Sequence, residues 1–179
     1  QELGWRALAR LQHLLPQRDA GLGTVAGARR ELEPDDVGLA FVVAAELEED
    51  TVGEQAGADA IVLINTLKGL AIDIETRRPV LGNVSGGLSG PCIKPVALKM
   101  VYDVSRAVKI PVIGMGGIMS GEDAAEFMLC GASAVMTGTA NLIDPEASPR
   151  IIGELESYAE TAGIRNIASL TGALEVDVE

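Results

Sequence analysis

Gly86-Gly87-Leu88-Ser89-Gly90-Pro91 is the stretch on which the reading of this chain turns. Asn65-Thr66 precede it, and Gly116-Gly117 and Gly138-Thr139 follow. The two later glycine turns each follow a short apolar run, Pro111-Val112-Ile113-Gly114 and Ala134-Val135-Met136, of the kind that forms a buried strand. Glycine at the mouth of a strand lets backbone amides approach a ligand closely, and successive amides cradle a phosphate. Repeated on consecutive βα units, this is the design by which a barrel holds a phosphorylated group on its C-terminal face.

Working outward, Ile61-Val62-Leu63-Ile64 is β-branched and short and is expected to be a strand ending at Asn65. A long loop is expected from Asn65 to about Gly90, carrying Arg77-Arg78. Pro95 opens the next helix, and Leu98, Val101, Val104, Ser105 and Val108 repeat at helical spacing. Ser120 with Asp123 has the form of a capping box, so a helix should run to about Leu129 and stop at Gly131. Asp144-Pro145 starts a last helix with Ile151, Ile152, Leu155 and Tyr158 inward, closing at Gly163. Strand, loop and helix alternate at βα spacing, which predicts an α/β fold with parallel strands.

The first part of the chain says less. Leu3, Leu8, Leu11, Leu14 and Leu15 suggest an amphipathic helix ending at Pro16, and residues 19–30 read as a loop. Residues 39–45 predict a buried strand, and Glu46 to Gln55 a helix stopped by Gly57. His13, alone and with no partner motif, reads as structural or exposed.

Composition bounds the function. The chain has 179 residues, enough for one domain and short of the ~250 of a complete (β/α)8 barrel. Hydrophobic residues make up 47% and aromatics 3%, so the core must be aliphatic, as under a helix-covered parallel sheet. A formal net charge of −12 argues against nucleic acid. It leaves room for one cofactor phosphate held by amide dipoles. Cys92 and Cys130 lie far apart, match no metal spacing and read as packing residues, so no metal is expected and a cytoplasmic location is. No apolar run is long enough to span a membrane, and no signal peptide is recognisable.

Asn65 and Thr66, just past a strand end, offer an amide and a hydroxyl to a flat ligand with carbonyl and ring N–H groups. Both also cap loops. The glycine turns serve equally as plain tight turns, and no dinucleotide fingerprint accompanies them. Lys68 and Lys94 are within sequence reach of a phosphate, and Met115, Met119, Met128 and Met136 read as fillers of an aliphatic core.

From residue 54 to about 175 the chain resembles the C-terminal part of dihydroorotate dehydrogenase, class 1, and most closely its bacterial NAD-linked catalytic subunit. The resemblance is carried by AGADAIVLINTLKGLAIDIETRRPVLGN (56–83), GGLSGPCIKPVALKMVYDVSRAV (86–108), IPVIGMGGIMSGEDAAEFMLCGASAVMTGTA (110–140) and DPEASPRIIGEL (144–155). It implies the C-terminal half of a (β/α)8 TIM barrel of the FMN-linked oxidoreductase type over 51–179, after a divergent N-terminal segment over 1–50. It implies oxidation of dihydroorotate to orotate with FMN in de novo pyrimidine biosynthesis. It further implies an electron-transfer subunit carrying FAD and an iron–sulfur cluster, and a homo- or hetero-oligomer. By the same resemblance Ile64 and Gly90 contact the flavin, Gly116, Gly117, Gly138 and Thr139 form the FMN-binding turns, and Asn65 and Thr66 bind the pyrimidine.

Two of the family's residues have no counterpart. Its base is a cysteine in a Ser-Cys-Pro-Asn-like motif, and a gapless count puts that position near Leu3. Its flavin-contacting lysine falls near Gly38, and no lysine precedes Lys68. No catalytic residue is therefore assigned, and little turnover is expected. The rivals are a non-catalytic FMN- or phosphate-binding barrel fragment and a dihydropyrimidine dehydrogenase-like flavin barrel.

Overall fold

Short runs of Val, Ile, Leu and Ala, each flanked by glycine or proline, leave the chain little choice but narrow buried strands. The computed structural model describes residues 41–44, 54 and 57–176. The helix expected before Pro16, His13, the loop over 19–30 and nearly all of the helix expected over 46–55 lie outside the described residues. Strand β1 is Phe41–Ala44 and β2 is Ala60–Leu63. Gly57, at φ +87°, precedes β2, and its amide donates to the Glu54 carbonyl at 2.9 Å.

Where a plain loop was expected, residues 65–90 fold into two small antiparallel pairs. Strand β3 (Leu67–Gly69) pairs with β6 (Gly86–Leu88), and inside them β4 (Ile72–Asp73) pairs with β5 (Arg78–Pro79). Strands of two or three residues rich in glycine and charge carry no period-two signal. The turn between β4 and β5 is set instead by Asp73, whose Oδ1 accepts the amides of Glu75 at 2.9 Å and Thr76 at 3.2 Å.

A 3-10 turn, Pro91–Ile93, leads into α1 (Lys94–Ala107). Strand β7 (Val112–Met115) and α2 (Gly121–Leu129) follow, and Ser120 and Asp123 form the expected capping box. Strand β8 (Ala134–Met136) ends in a five-residue helix not foreseen, α3 (Thr139–Ile143), before α4 (Ala147–Thr161). Gly163, at φ +69°, closes α4 as expected. No helix of the described residues is long and apolar enough to cross a membrane.

Strands β1, β2, β7 and β8 form one parallel sheet in that order, with β1 and β2 paired from Phe41–Ala60 through Val42–Ile61 to Ala44–Leu63. Strand β1 thus joins in register from the segment that the sequence sets apart. Parallel strands that follow one another in chain order, joined by crossovers of one hand, keep their helices on one face. A doubly wound sheet would reverse its order at a switch point.

Register decides which residues share a face. Ile61 pairs with Val112, Leu63 with Gly114, and Gly114 with Val135. These meet Ala97, Val101 and Val104 of α1 and Phe127 of α2 in the main core. Gly114 is glycine for a packing reason, since a Cβ there would lie 2.5 Å from the Phe127 ring. On the opposite face Ile113 pairs with Ala134 and Met115 with Met136, and Met136 is 48% exposed. On α4, Ile151 is buried as expected but Ile152 is 58% exposed: the inner stripe runs through Ala147, Ile151 and Ala159 instead. Small alanines let α4 lie close to α2, where Gly121 abuts the backbone of Glu154 and Leu155.

Phe127 is wholly buried between β7 and the helix layer. Its replacement, Phe127→Ala, is expected to cost about 3–5 kcal/mol of unfolding free energy, read from urea denaturation monitored by circular dichroism.

Candidate functional site

The C-terminal ends of β2, β7 and β8 lie side by side, and the chain leaving each one is rich in glycine or small polar residues. Ile64, Asn65 and Thr66 leave β2, Gly116 and Gly117 leave β7, and Gly138 and Thr139 leave β8. Gly90 comes in from the turn before α1. All eight line a single open cleft. The Ile64 amide donates to the Met115 carbonyl at 2.6 Å, tying the first two exits together, and the Leu63–Ile64 peptide is cis.

The Gly116-Gly117 turn is glycine by necessity. Both residues have positive φ, +123° and +86°. A Cβ on Gly117 would sit 2.8 Å from Lys94 Cβ, 2.9 Å from Lys94 N and 3.0 Å from the Gly90 carbonyl oxygen. The turn is therefore pressed flat against the start of α1. Among the described residues the amides of Gly116, Gly117, Ile118, Gly138 and Thr139 donate to no protein acceptor. The rest of the β7–α2 loop is satisfied within the protein. Asp123 Oδ2 accepts the amides of Met119 at 2.7 Å and Ser120 at 3.0 Å, Glu154 Oε2 accepts that of Gly121 at 2.7 Å, and Arg150 donates to the Met119 carbonyl. The donors left over are those that face the cleft.

Across the cleft, Thr139 Oγ1 donates to Ser89 Oγ at 2.9 Å. Asn65 Oδ1 accepts the Thr66 amide at 2.7 Å, so its Nδ2 group has no protein partner among the described residues. The free amides, together with hydroxyls that bond only within the cleft and one carboxamide, and with no acidic side chain among the described residues of the lining, suit an anion beside a hydrogen-bonding ring.

The sequence profile of the dihydroorotate dehydrogenase family matches residues 32–158. The chain belongs to that family. Among its relatives is the dihydroorotate dehydrogenase B (NAD(+)) catalytic subunit of Geobacter metallireducens, 64% identical over 121 residues, or 68% of this chain and 40% of that protein. The corresponding subunit of Geobacter sulfurreducens is 62% identical over 121 residues, with the same coverage. A crystal structure of DHODH from Eimeria tenella in complex with ferulenol superposes with a TM-score of 0.62 at 30% identity, covering 76% of this chain and 38% of that one. The chain thus spans about 40% of the length of the curated relatives it matches. Membership in this family of oxidoreductases makes the sequential parallel sheet one of the α/β, TIM-barrel type.

Several sequence expectations about side chains need correction. Met115 and Met136 are not core fillers, for they line the cleft; Met119 lines it too but also packs against the main core, and Met128 is buried. Met115 and Met136 are register partners on the face away from the helices, a period-two signal that the sequence did contain. Ser89 and Ile118 also line the cleft, and Ser89 stood unassigned in the glycine run. Lys68 is exposed on β3, outside the cleft. Lys94 is engaged elsewhere: its Nζ lies 2.6 Å from Asp123 and 2.9 Å from Glu126. Cys92 is exposed, its Sγ 3.6 Å from the Ser89 carbonyl. Cys130 caps the C-terminus of α2, away from the strand exits, and burial pushes its thiol up.

The Lys94–Asp123 pair shifts both groups. Hydrogen bonds to Asp123 and then Glu126 raise Lys94 above the ordinary lysine value. Burial pushes the Asp123 carboxyl up, but the bonds from Lys94 and the Met119 amide outweigh it and hold it below the usual carboxylate range. A depressed carboxyl stabilises the folded state fully above its unfolded value of about 3.9. That stabilisation fades as pH falls through the folded value. Denaturation midpoints measured against pH should therefore fall at the acid end for the native chain, with a shallower acid limb for Asp123→Asn. Separately, Gly117→Ala should destabilise by about 1–3 kcal/mol, in contrast to an alanine at open, exposed Gly153, as compared by thermal unfolding.

Proposed function

We infer that the cleft is the FMN-phosphate and pyrimidine site of a dihydroorotate dehydrogenase, and that the described residues form the C-terminal half of its barrel. The carrying observation is the convergence of Ile64, Asn65, Thr66, Gly90, Gly116, Gly117, Gly138 and Thr139 on one cleft at three neighbouring strand ends. The residues fit a phosphate, because the glycines let the turn pack flat against the start of α1 while its amides stay unpaired among the described residues. Gly116, Gly117, Gly138 and Thr139 would hold the phosphate, while Ile64 and Gly90 would lie along the ring system. When bound, FMN supplies the hydride acceptor that oxidation of dihydroorotate to orotate requires.

The chain's own residues bind and orient. The free Nδ2 group of Asn65 donates to a pyrimidine carbonyl, and the Thr66 hydroxyl donates to or accepts from the ring edge. The apolar thioethers of Met115 and Met136 exclude water from one side of the cleft. No basic side chain of the lining is placed to take a proton from a ring carbon. The cysteine that does so in the family, and its flavin lysine, have no counterpart before Cys92 and Lys68. The relatives' printed names, an NAD(+)-linked enzyme's catalytic subunit, support a partner subunit, which the family resemblance makes one for electron transfer of the FAD and iron–sulfur type.

A missing base removes a factor of about 10²–10⁴ in rate. The full chain titrated with FMN is expected to quench flavin fluorescence, and to bind riboflavin, which lacks the phosphate, more weakly. Anaerobic dihydroorotate is expected to leave the bound flavin oxidised. Equal affinity for FMN and riboflavin, or bleaching at a rapid rate, overturns the corresponding half of this reading.

A further inference from the structure

Lys94, which sequence position suggests as a phosphate ligand, makes two ion pairs with carboxylates on α2. Lys94 opens α1, the helix against whose first turn Gly117 is pressed. Asp123 belongs to α2 but reaches back to hold the amides of Met119 and Ser120, in the loop that carries the glycine pair. The 2.6 Å Lys94–Asp123 contact therefore closes a bracket around the turn, with α1 on one side and the root of the β7–α2 loop on the other. From the far side Arg150 of α4 holds the Met119 carbonyl, and Glu154 holds the Gly121 amide. Every tie falls on residues 119–121 or on α1, and none reaches the free amides of 116–118.

We propose that Lys94 and Asp123 are positioning residues whose ion pair clamps the Gly116-Gly117 turn onto the start of α1 and so fixes the phosphate cup. The inference rests on the FMN reading of the cleft. Lys94 acts through Asp123 and does not touch the anion. A side chain 24% exposed and saturated by two carboxylates brings no net positive charge to the cup. The geometry of three amides against a compact anion is unforgiving, so loosening their support should cost more for FMN than for a ligand without a phosphate.

Two mechanisms make opposite predictions for Asp123→Asn. If Lys94 served as a direct electrostatic ligand, removing its competing carboxylate would tighten FMN. If the pair is a clamp, the same change weakens FMN. The experiment measures FMN and riboflavin affinities by fluorescence quenching on the full chain and on K94M, K94R, D123N and, as a control for an exposed ion pair on the same helix, K99M. Lys99 pairs with Asp103 on the open side of α1. The clamp is supported if K94M and D123N each weaken FMN by about tenfold or more, leave riboflavin affinity near that of the native chain, and if K94R recovers most of the loss while K99M shows none. It is overturned if D123N binds FMN as tightly as the native chain or more so, or if K94M is indistinguishable from K99M. Should D123N fail to fold, the K94M, K94R and K99M comparison decides by itself. If the native chain does not discriminate FMN from riboflavin, the FMN reading fails, and the clamp fails with it. That outcome is seen in the native chain alone, before any variant is compared.

Discussion

No side chain fits between Gly117 and the first turn of α1. The would-be Cβ is within 3.0 Å of a backbone nitrogen and a backbone oxygen there, so the loop after β7 and the turn before α1 are one wall. The arrangement of the cleft follows from that contact. The loop leaves β7 with two successive residues at positive φ, a conformation that glycine adopts without strain. The Gly90 carbonyl is held at the same wall, and its neighbour Ser89 reaches the Thr139 hydroxyl from the next strand over. Because the sheet is sequential, β8 lies beside β7 and its own exit completes the cup. A single close approach between backbones thus determines where three separate segments meet.

Seen this way, binding and chemistry divide along the chain. The residues that form the cup come from the last three strands of the sheet and depend mainly on backbone amides, which any folded copy of these segments presents. Proton removal depends on one side chain at one position, and the family's cysteine belongs to an earlier part of the barrel. The exposed thioether of Met136 and the exposed Ala134, on the sheet face away from the helices, fit the same division, since an apolar face toward a barrel interior wants opposite strands to cover it.

How much of this could be read from residues differed by type of signal. The strands ending at Leu63, Met115 and Met136 and the capping box at Ser120 were legible because they rest on local rules: β-branched runs, glycine stops, and a carboxylate three residues after a serine. The paired ribbons over 65–90 were not, because β4 and β5 have two residues each and are fixed by the Asp73 turn, not by any alternation of their own. Helix periodicity placed Ile151 correctly and Ile152 wrongly. Ile152 lies about 100° round the helix from Ile151 and is exposed, whereas Ala147, Ile151 and Ala159 are the buried residues of α4. The proposed site residues, which line one cleft, were singled out by resemblance together with the glycine spacing. The roles of Lys94 and the methionines were misjudged because charge pairing and cleft lining depend on partners 29 or 21 positions away in the chain.

An acidic chain proposed to bind an anion at first looks contradictory, with a formal net charge of −12. Range resolves it. At physiological ionic strength charges on the protein surface are screened over about 8 Å, so the distant carboxylates that make up the total have little effect at the cup. What acts there is within hydrogen-bond reach. Among the described residues the lining holds no Asp or Glu, and Asp123 and Glu126, on α2, are each engaged with Lys94. The attraction comes from amide dipoles fixed in direction by the glycine turn, which need no lysine and add no net charge. Such a cup recognises a phosphate by the placement of its donors more than by its field. That places the burden of affinity on whatever keeps those donors still, and in this chain that is the contact between the turn and α1.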